Sequence, residues 1–106
     1  MFDFLKKSGV ESIKVNEIDS LIGNIDLIDV RESYEFKGGS LLTAKNIPMN
    51  TLLGMPGKYL DQRKTYYLIC QSGARSKRAA GELKRKGYNV VNVSGGMMSY
   101  SGKKRK

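Results

Sequence analysis

Two residues in the second half of the sequence, Cys70 and Arg75, have side chains whose chemistry and spacing could support catalysis. Cys70 is the only cysteine among the 106 residues, so it cannot form a disulfide within the chain or a multi-thiolate metal site. A free cysteine at the end of an apolar stretch is most often inert packing. The residues that follow Cys70 favour a reactive thiol instead.

The segment after Cys70 consists of small and polar residues and ends in two residues that could begin a helix. These residues are Gln71, Ser72, Gly73, Ala74, Arg75 and Ser76. Small side chains allow successive backbone N–H groups, beginning with that of Gln71, to turn inward and surround an anion. These N–H groups, the amino-terminal end of the following helix and the Arg75 guanidinium would favour the thiolate form of Cys70. The segment therefore predicts a nucleophilic cysteine in an anion-binding loop.

Other residues of the predicted site have supporting roles. The guanidinium fork of Arg75 is suited to binding an anion and to bracing the loop. Ser72 and Ser76 could donate hydroxyl hydrogen bonds to the reacting sulfur or could simply cap the helix. Asp29 and Arg31 follow an earlier apolar stretch, and we expect them to form an ion pair that supports the loop. We favour that structural role over direct catalysis.

The composition excludes several kinds of catalyst. Histidine is absent, which excludes Ser-His and Cys-His hydrolases and histidine-containing zinc sites. Hydrophobic residues make up 40% and charged residues 27% of the chain, which is typical of a soluble globular protein. Apolar stretches fall short of the roughly 20 residues needed to span a membrane, and the amino terminus lacks the order of a secretory signal. We expect a cytoplasmic protein with no metal and no organic cofactor.

The net charge of +9 comes from two segments. Residues 75–86 contain six basic residues against Glu82, and residues 103–106 are all basic. Lys77 and Arg78 lie beside the predicted loop and would attract anionic donors. Four basic residues without interleaved aromatic residues are weak evidence for nucleic-acid binding, so we expect no nucleic-acid partner and interpret 103–106 as a frayed, solubilising tail.

The pattern of apolar residues predicts a single α/β domain. Strands are expected over 13–16, 25–30, 44–48, 65–70 and 89–93, and helical segments over 17–22, 33–37 (capped by Ser33), 50–53, 58–61, 76–86 and 97–100. The almost continuous apolar run at 65–70 is typical of a strand covered on both faces, which places it at the centre of the sheet. Alternation of strands and helices predicts a mainly parallel sheet with helices on both faces. Cys70 then lies at the carboxyl edge of the strands, where ligands collect.

Five short motifs occur in order along nearly the whole chain. They are Asp29-Val30-Arg31-Glu32, Asn46-Ile47-Pro48, Cys70-Gln71-Ser72-Gly73-Ala74-Arg75-Ser76, Gly87-Tyr88 and Asn92-Val93-Ser94-Gly95-Gly96-Met97. Together they resemble the rhodanese-like sulfurtransferase family in its short, single-domain form. The resemblance implies a three-layer fold with a five-stranded, mainly parallel sheet. We expect this domain over residues 1–102, followed by the basic tail.

The resemblance also implies an activity. Cys70 would attack the outer sulfur of a donor such as thiosulfate, hold it as a persulfide and pass it to an acceptor such as cyanide or a thiol. The alternative is a persulfide carrier or partner-binding module that is loaded by a persulfide-bearing protein and has little turnover of its own. Four residues separate Cys70 from Arg75, one fewer than in related phosphatases and arsenate reductases. The shorter loop suits a persulfide better than a phosphoryl group, so we favour sulfur transfer over phosphatase activity.

Overall fold

A parallel sheet of five strands organises the chain. The computed structural model describes residues 10–106, so residues 1–9 of the predicted domain lie outside the described residues. The strands are β1 (Glu11–Lys14), β2 (Asp26–Asp29), β3 (Lys45–Asn46), β4 (Thr65–Ile69) and β5 (Asn89–Ser94). They lie side by side in the order β1-β5-β4-β2-β3, and each of the four pairings is parallel. The five-stranded α/β fold and the central position of β4 are confirmed.

Helices cover both faces of the sheet. They are α1 (Ser33–Lys37), α2 (Met49–Gly54), α3 (Pro56–Tyr59), α4 (Ala74–Arg85) and α5 (Gly96–Ser99), with a 3₁₀ turn at Val15–Glu17. One apolar cluster joins α2 and α4 to the sheet, and a second joins α5 and the 3₁₀ turn to it. Among residues 10–106, every helix is too short or too polar to cross a membrane.

Alternation along β4 decides which cluster receives Cys70. Leu68 belongs to the cluster under α4 and Ile69 to the opposite one, because successive side chains of a strand point to opposite faces. Cys70 comes next and returns to the α4 side. The sulfur therefore lies beneath the amino-terminal end of the helix that follows it in sequence.

Three local predictions differ from the structure. The segment predicted as helical over 17–22 consists of the end of the 3₁₀ turn at Val15–Glu17 and the hydrogen-bonded turns that follow it. The first strand ends at Lys14, because Val15 begins the 3₁₀ turn and is buried in the core. Helix α1 is capped by Glu32 and not by Ser33. Glu32 and Glu35 form a reciprocal capping box, in which each side chain accepts a backbone N–H of the other residue. Two carboxylates therefore face the amino-terminal turn of α1.

The prediction of a frayed carboxyl-terminal tail is also wrong. Ser40 and Lys106 exchange two backbone hydrogen bonds of 3.2 and 2.9 Å, and the Leu42 N–H donates to the Lys104 carbonyl at 2.8 Å. The Lys106 ammonium lies 4.9 Å from the centroid of the Phe36 ring. Basic residues can pack when the backbone pairs with a neighbouring segment and the side chains lie over aromatic rings. The tail is thus part of the folded structure.

Candidate active site

The Cys70 sulfur is buried among hydrogen-bond donors. Cys70 has no exposed surface, but the Gly73 N–H donates to Sγ at 3.0 Å and the Ser76 N–H donates at 3.3 Å. Gly73 has a φ of +97°, a conformation that L side chains rarely adopt and that turns its N–H toward the sulfur. Two backbone N–H groups of the predicted anion-binding loop therefore converge on Sγ.

The loop rests on the amino-terminal end of α5. The Met97 N–H donates to the Cys70 carbonyl and the Met98 N–H to the Gln71 carbonyl, each at 2.9 Å. A Cβ atom at Gly96 would overlap the same two carbonyl groups. Only glycine permits this approach, a supporting role that the sequence analysis assigned to no residue although it noted the Gly95-Gly96 pair.

A buried hydroxyl links the sulfur to the next strand. The Ser76 Oγ lies 3.3 Å from Cys70 Sγ, with either atom able to donate, and donates to Asn92 Oδ1 at 2.5 Å. Both Ser76 and Asn92 are buried. A hydroxyl has one proton to donate, and here Asn92 receives it, so the Ser76 Oγ can accept a hydrogen bond from the Cys70 thiol. Asn92 was not predicted as a site residue. Its position as a polar residue between the valines of β5 could have indicated such a role.

The remaining polar residues of the loop lie at its surface. Ser72 is exposed and accepts a hydrogen bond from the Ala74 N–H at 3.4 Å, while Ala74 itself is also exposed. Of the two serines that were candidates to contact the sulfur, Ser76 lies against Sγ, and the Ser72 hydroxyl turns to its own loop. On α4, Lys77 and Arg78 are exposed beside the loop.

The expected ion pair between Asp29 and Arg31 is present. Asp29 is fully buried and accepts hydrogen bonds from Arg31 Nε at 3.0 Å and Nη2 at 2.8 Å, and from Ser40 Oγ at 2.7 Å. Arg31 also donates to the Gly39 carbonyl at 2.7 Å and to Gln71 Oε1 at 3.2 Å. The pair at the end of β2 therefore reaches the loop through the Gln71 side chain.

Arg75 forms a two-pronged ion pair with Glu35. Its Nη1 and Nη2 atoms donate to the two carboxylate oxygens at 2.8 and 2.9 Å. The hydrogen bond from Arg75 lowers the pKa of Glu35 from 4.5 to about 2, although partial burial opposes this shift. The pair joins the start of α4 to α1, and the roles of Arg75 as anion ligand and loop brace stay predictions. For these two Nη atoms to bind an incoming anion, Glu35 would have to move away.

One family model and several known proteins match the chain. A family model described as a Rhodanese-like domain matches residues 14–103. YqhL of Bacillus subtilis is 42% identical over 78 residues, which are 73% of this chain and 61% of YqhL, so the chain spans less than two thirds of that relative. A second Bacillus subtilis protein, "Putative sulfurtransferase YtwF", is 42% identical over 78 residues, which are 72% of this chain and 73% of YtwF.

A solved structure agrees in fold. The crystal structure of a rhodanese-like domain protein from Staphylococcus aureus has a TM-score of 0.81 and 27% sequence identity, and the match covers 92% of this chain and 97% of that one. The family model alone spans most of the described residues. From the parallel sheet, the cysteine loop at its carboxyl edge and these matches, we conclude that the chain belongs to the rhodanese-like domain family.

Proposed function

We propose that this protein is a sulfurtransferase in which Cys70 carries sulfane sulfur as a persulfide. The observation that supports this most directly is the donor set around Sγ, which consists of the backbone N–H groups of Gly73 and Ser76. Donors of this kind stabilise an anionic sulfur. They would serve the thiolate before transfer and the anionic persulfide after it.

The proposed cycle has two nucleophilic steps. The Cys70 thiolate attacks the outer sulfur of thiosulfate, a new S–S bond forms to Sγ, and the electron pair of the broken bond leaves with sulfite. Cyanide or an acceptor thiolate then attacks the outer sulfur, and the electron pair of that bond returns to Sγ. Both steps conserve atoms and electrons among donor, enzyme and acceptor. The chemistry therefore draws only on the protein and these two reactants.

Transfer requires access to a buried atom. Because Cys70 has no exposed surface, a donor reaches Sγ only when the loop over it moves outward. Gln71, Ser72 and Ala74 form the exposed side of that loop, and these three residues belong to neither apolar cluster. A cytoplasmic location, which we also propose, would keep Cys70 in the reduced state that the first step needs.

The same burial favours a second candidate function, that of a persulfide carrier or partner-binding module. A small donor such as thiosulfate has few contacts with which to displace a closed loop, whereas a docked protein can use a larger surface. In this case a persulfide-bearing protein would load Cys70 and a thiol would unload it, with little turnover of thiosulfate. Both candidates require a persulfide on Cys70.

The decisive experiment measures sulfur loading by intact mass together with steady-state turnover of thiosulfate and cyanide. Wild-type protein should gain the mass of one sulfur atom and lose it when cyanide is added, whereas Cys70→Ser should not gain it. Ser72→Ala is the matched control, because the Ser72 hydroxyl is engaged within the loop, and it should load like the wild type. Rapid loading from a protein persulfide with negligible thiosulfate turnover would favour the carrier. Equal loading of wild type and Cys70→Ser would refute both candidates.

A further inference from the structure

The guanidinium at the start of α4 already has an anionic ligand within the chain. Arg75 is placed next to the cysteine loop, where its two parallel Nη donors would fit two oxygens of a sulfonyl group. The Glu35 carboxylate occupies these same two donors at 2.8 and 2.9 Å. The positive charge that would attract a small anionic donor is therefore neutralised by a neighbouring residue.

Glu35 is held in this position by its own helix. Its Oε1 atom also accepts the Glu32 N–H at 2.9 Å, as part of the capping box of α1. The side chain is 19% exposed, against 36% for Arg75. A carboxylate fixed in this way competes with a free anion at little further entropic cost. An incoming dianion has to displace the Glu35 carboxylate from Arg75, or it has to approach while that negatively charged carboxylate remains in place.

Arg75 lies in the first turn of α4, and the N–H of the next residue, Ser76, donates to the Cys70 sulfur. The hydrogen bond with Glu35 is the main cause that raises the pKa of Arg75, and the charge of Cys70 contributes in the same direction. Whether Arg75 is paired with Glu35 would thus change the electrostatic potential at Cys70, where the donor sulfur must bind.

We propose that Glu35 is a specificity-determining residue that, by occupying Arg75, disfavours dianionic sulfur donors relative to donors with less negative charge. This inference rests on the proposed sulfurtransferase function. Removal of the carboxylate charge would leave Arg75 available to the donor. The residue acts through Arg75 and need not touch the substrate.

Two donors that share sulfonyl–sulfur chemistry test the proposal. Thiosulfate is a dianion and methanethiosulfonate is a monoanion, and both leave the outer sulfur on the cysteine. In Glu35→Gln, the KM for thiosulfate should fall by about 5-fold, and that for methanethiosulfonate by about 2-fold or less, as expected for one charge near a partly exposed site. Glutamine preserves the capping box, so α1 should remain folded.

Asp61→Asn is the matched control for the change in net charge. Asp61 forms a similar pair with Arg63 at 2.9 Å, but it precedes β4, at the opposite end of the strand from Cys70. Its two KM values should equal those of the wild type. An unchanged ratio of the two KM values in Glu35→Gln, or an equal change in Asp61→Asn, would overturn the proposal.

A second comparison tests whether the effect acts through Arg75. Adding Arg75→Gln to Glu35→Gln should remove the gain for thiosulfate, and persistence of the gain would contradict the proposal.

Thiosulfate binding by calorimetry in a Cys70→Ser background needs no turnover, and there Glu35→Gln should bind about 5-fold more tightly. If binding tightens but no variant is ever loaded with sulfur, the proposed function fails, and Glu35 is left with a role in anion binding alone. If loading occurs and Glu35→Gln leaves thiosulfate binding unchanged, the proposed function is supported and the proposal for Glu35 fails.

Discussion

The ends of the neighbouring strands β4 and β2 each hold a buried group, a sulfur and a carboxylate, and different kinds of partner surround the two groups. At the end of β4, the Cys70 sulfur is contacted by backbone N–H groups of Gly73 and Ser76 and by a hydroxyl. At the end of β2, the buried Asp29 carboxylate is neutralised by Arg31. Dipoles that do not titrate suit a sulfur whose charge changes during a reaction. A permanent buried charge needs a permanent counter-charge.

Two long-range contacts join the strand ends. Arg31 donates to the Gln71 side chain, and Glu35 of α1 pairs with Arg75 of α4. The end built from charged side chains thus braces the loop built from backbone. If this division is correct, damage to the loop should abolish sulfur loading, whereas damage to the ion pair should mainly lower stability.

The largest effect is expected for Gly96→Ala. The added methyl group would overlap the carbonyls of Cys70 and Gln71, which must move and carry the loop with them. The free energy of unfolding should fall by about 3 kcal/mol, and the rate of sulfur loading by roughly 100-fold or more. Denaturant unfolding and intact mass measure the two quantities. Gly54→Ala is the control, because its Cβ would meet nothing within 4 Å, and wild-type loading in Gly96→Ala would contradict the prediction.

Asp29→Asn should separate stability from chemistry. The substitution leaves Arg31 buried without a counter-charge, which should lower the free energy of unfolding by about 3 kcal/mol. Loading should fall by only about 10-fold, since the N–H groups at Sγ remain and only the contact of Arg31 with Gln71 is weakened. Asp61→Asn breaks an exposed pair and should change neither quantity appreciably. Complete loss of loading in Asp29→Asn would show that the two ends do not divide their roles.

The smallest effect should come from the Glu35–Arg75 contact and should depend on pH. The pKa of Glu35 is lowered from 4.5 to about 2, so the ion pair stabilises the fold above pH 4.5 and its contribution disappears as pH falls through about 2. Because both side chains are partly exposed, we expect Glu35→Gln to lower the free energy of unfolding by about 1 kcal/mol near neutral pH. Urea titrations near pH 7 and pH 2.5 should show the difference shrinking. A difference independent of pH would contradict this assignment.

The sequence was informative where interactions are local. The Asp29–Arg31 pair could be predicted because the residues are two positions apart at a strand end. Backbone N–H groups of the segment after Cys70 could be predicted to face an anion because the side chains there are small, and the structure shows that one of them, that of Gly73, donates to Sγ. The apolar run of β4 likewise indicated its central place. Each of these inferences needs only strand geometry and the conformational range of small residues.

Contacts between distant residues could not be predicted in this way. Glu35 and Arg75 are 40 positions apart, and Ser76 and Asn92 are 16 apart. Both pairs depend on which strands become neighbours. The carboxyl-terminal tail is a further case, because its basic composition favours solvent until Ser40 offers it a backbone partner.

By itself, the sequence indicated the class of fold, the candidate nucleophile and the loop that presents it, because periodicity, small residues and a lone cysteine are patterns that span only a few positions. Tertiary structure alone decided what surrounds that nucleophile. It buried Sγ, placed the Ser76 hydroxyl between the sulfur and Asn92, and paired the Arg75 guanidinium with the Glu35 carboxylate. The physical reason is that a parallel sheet brings the ends of strands together from segments that are far apart in the chain.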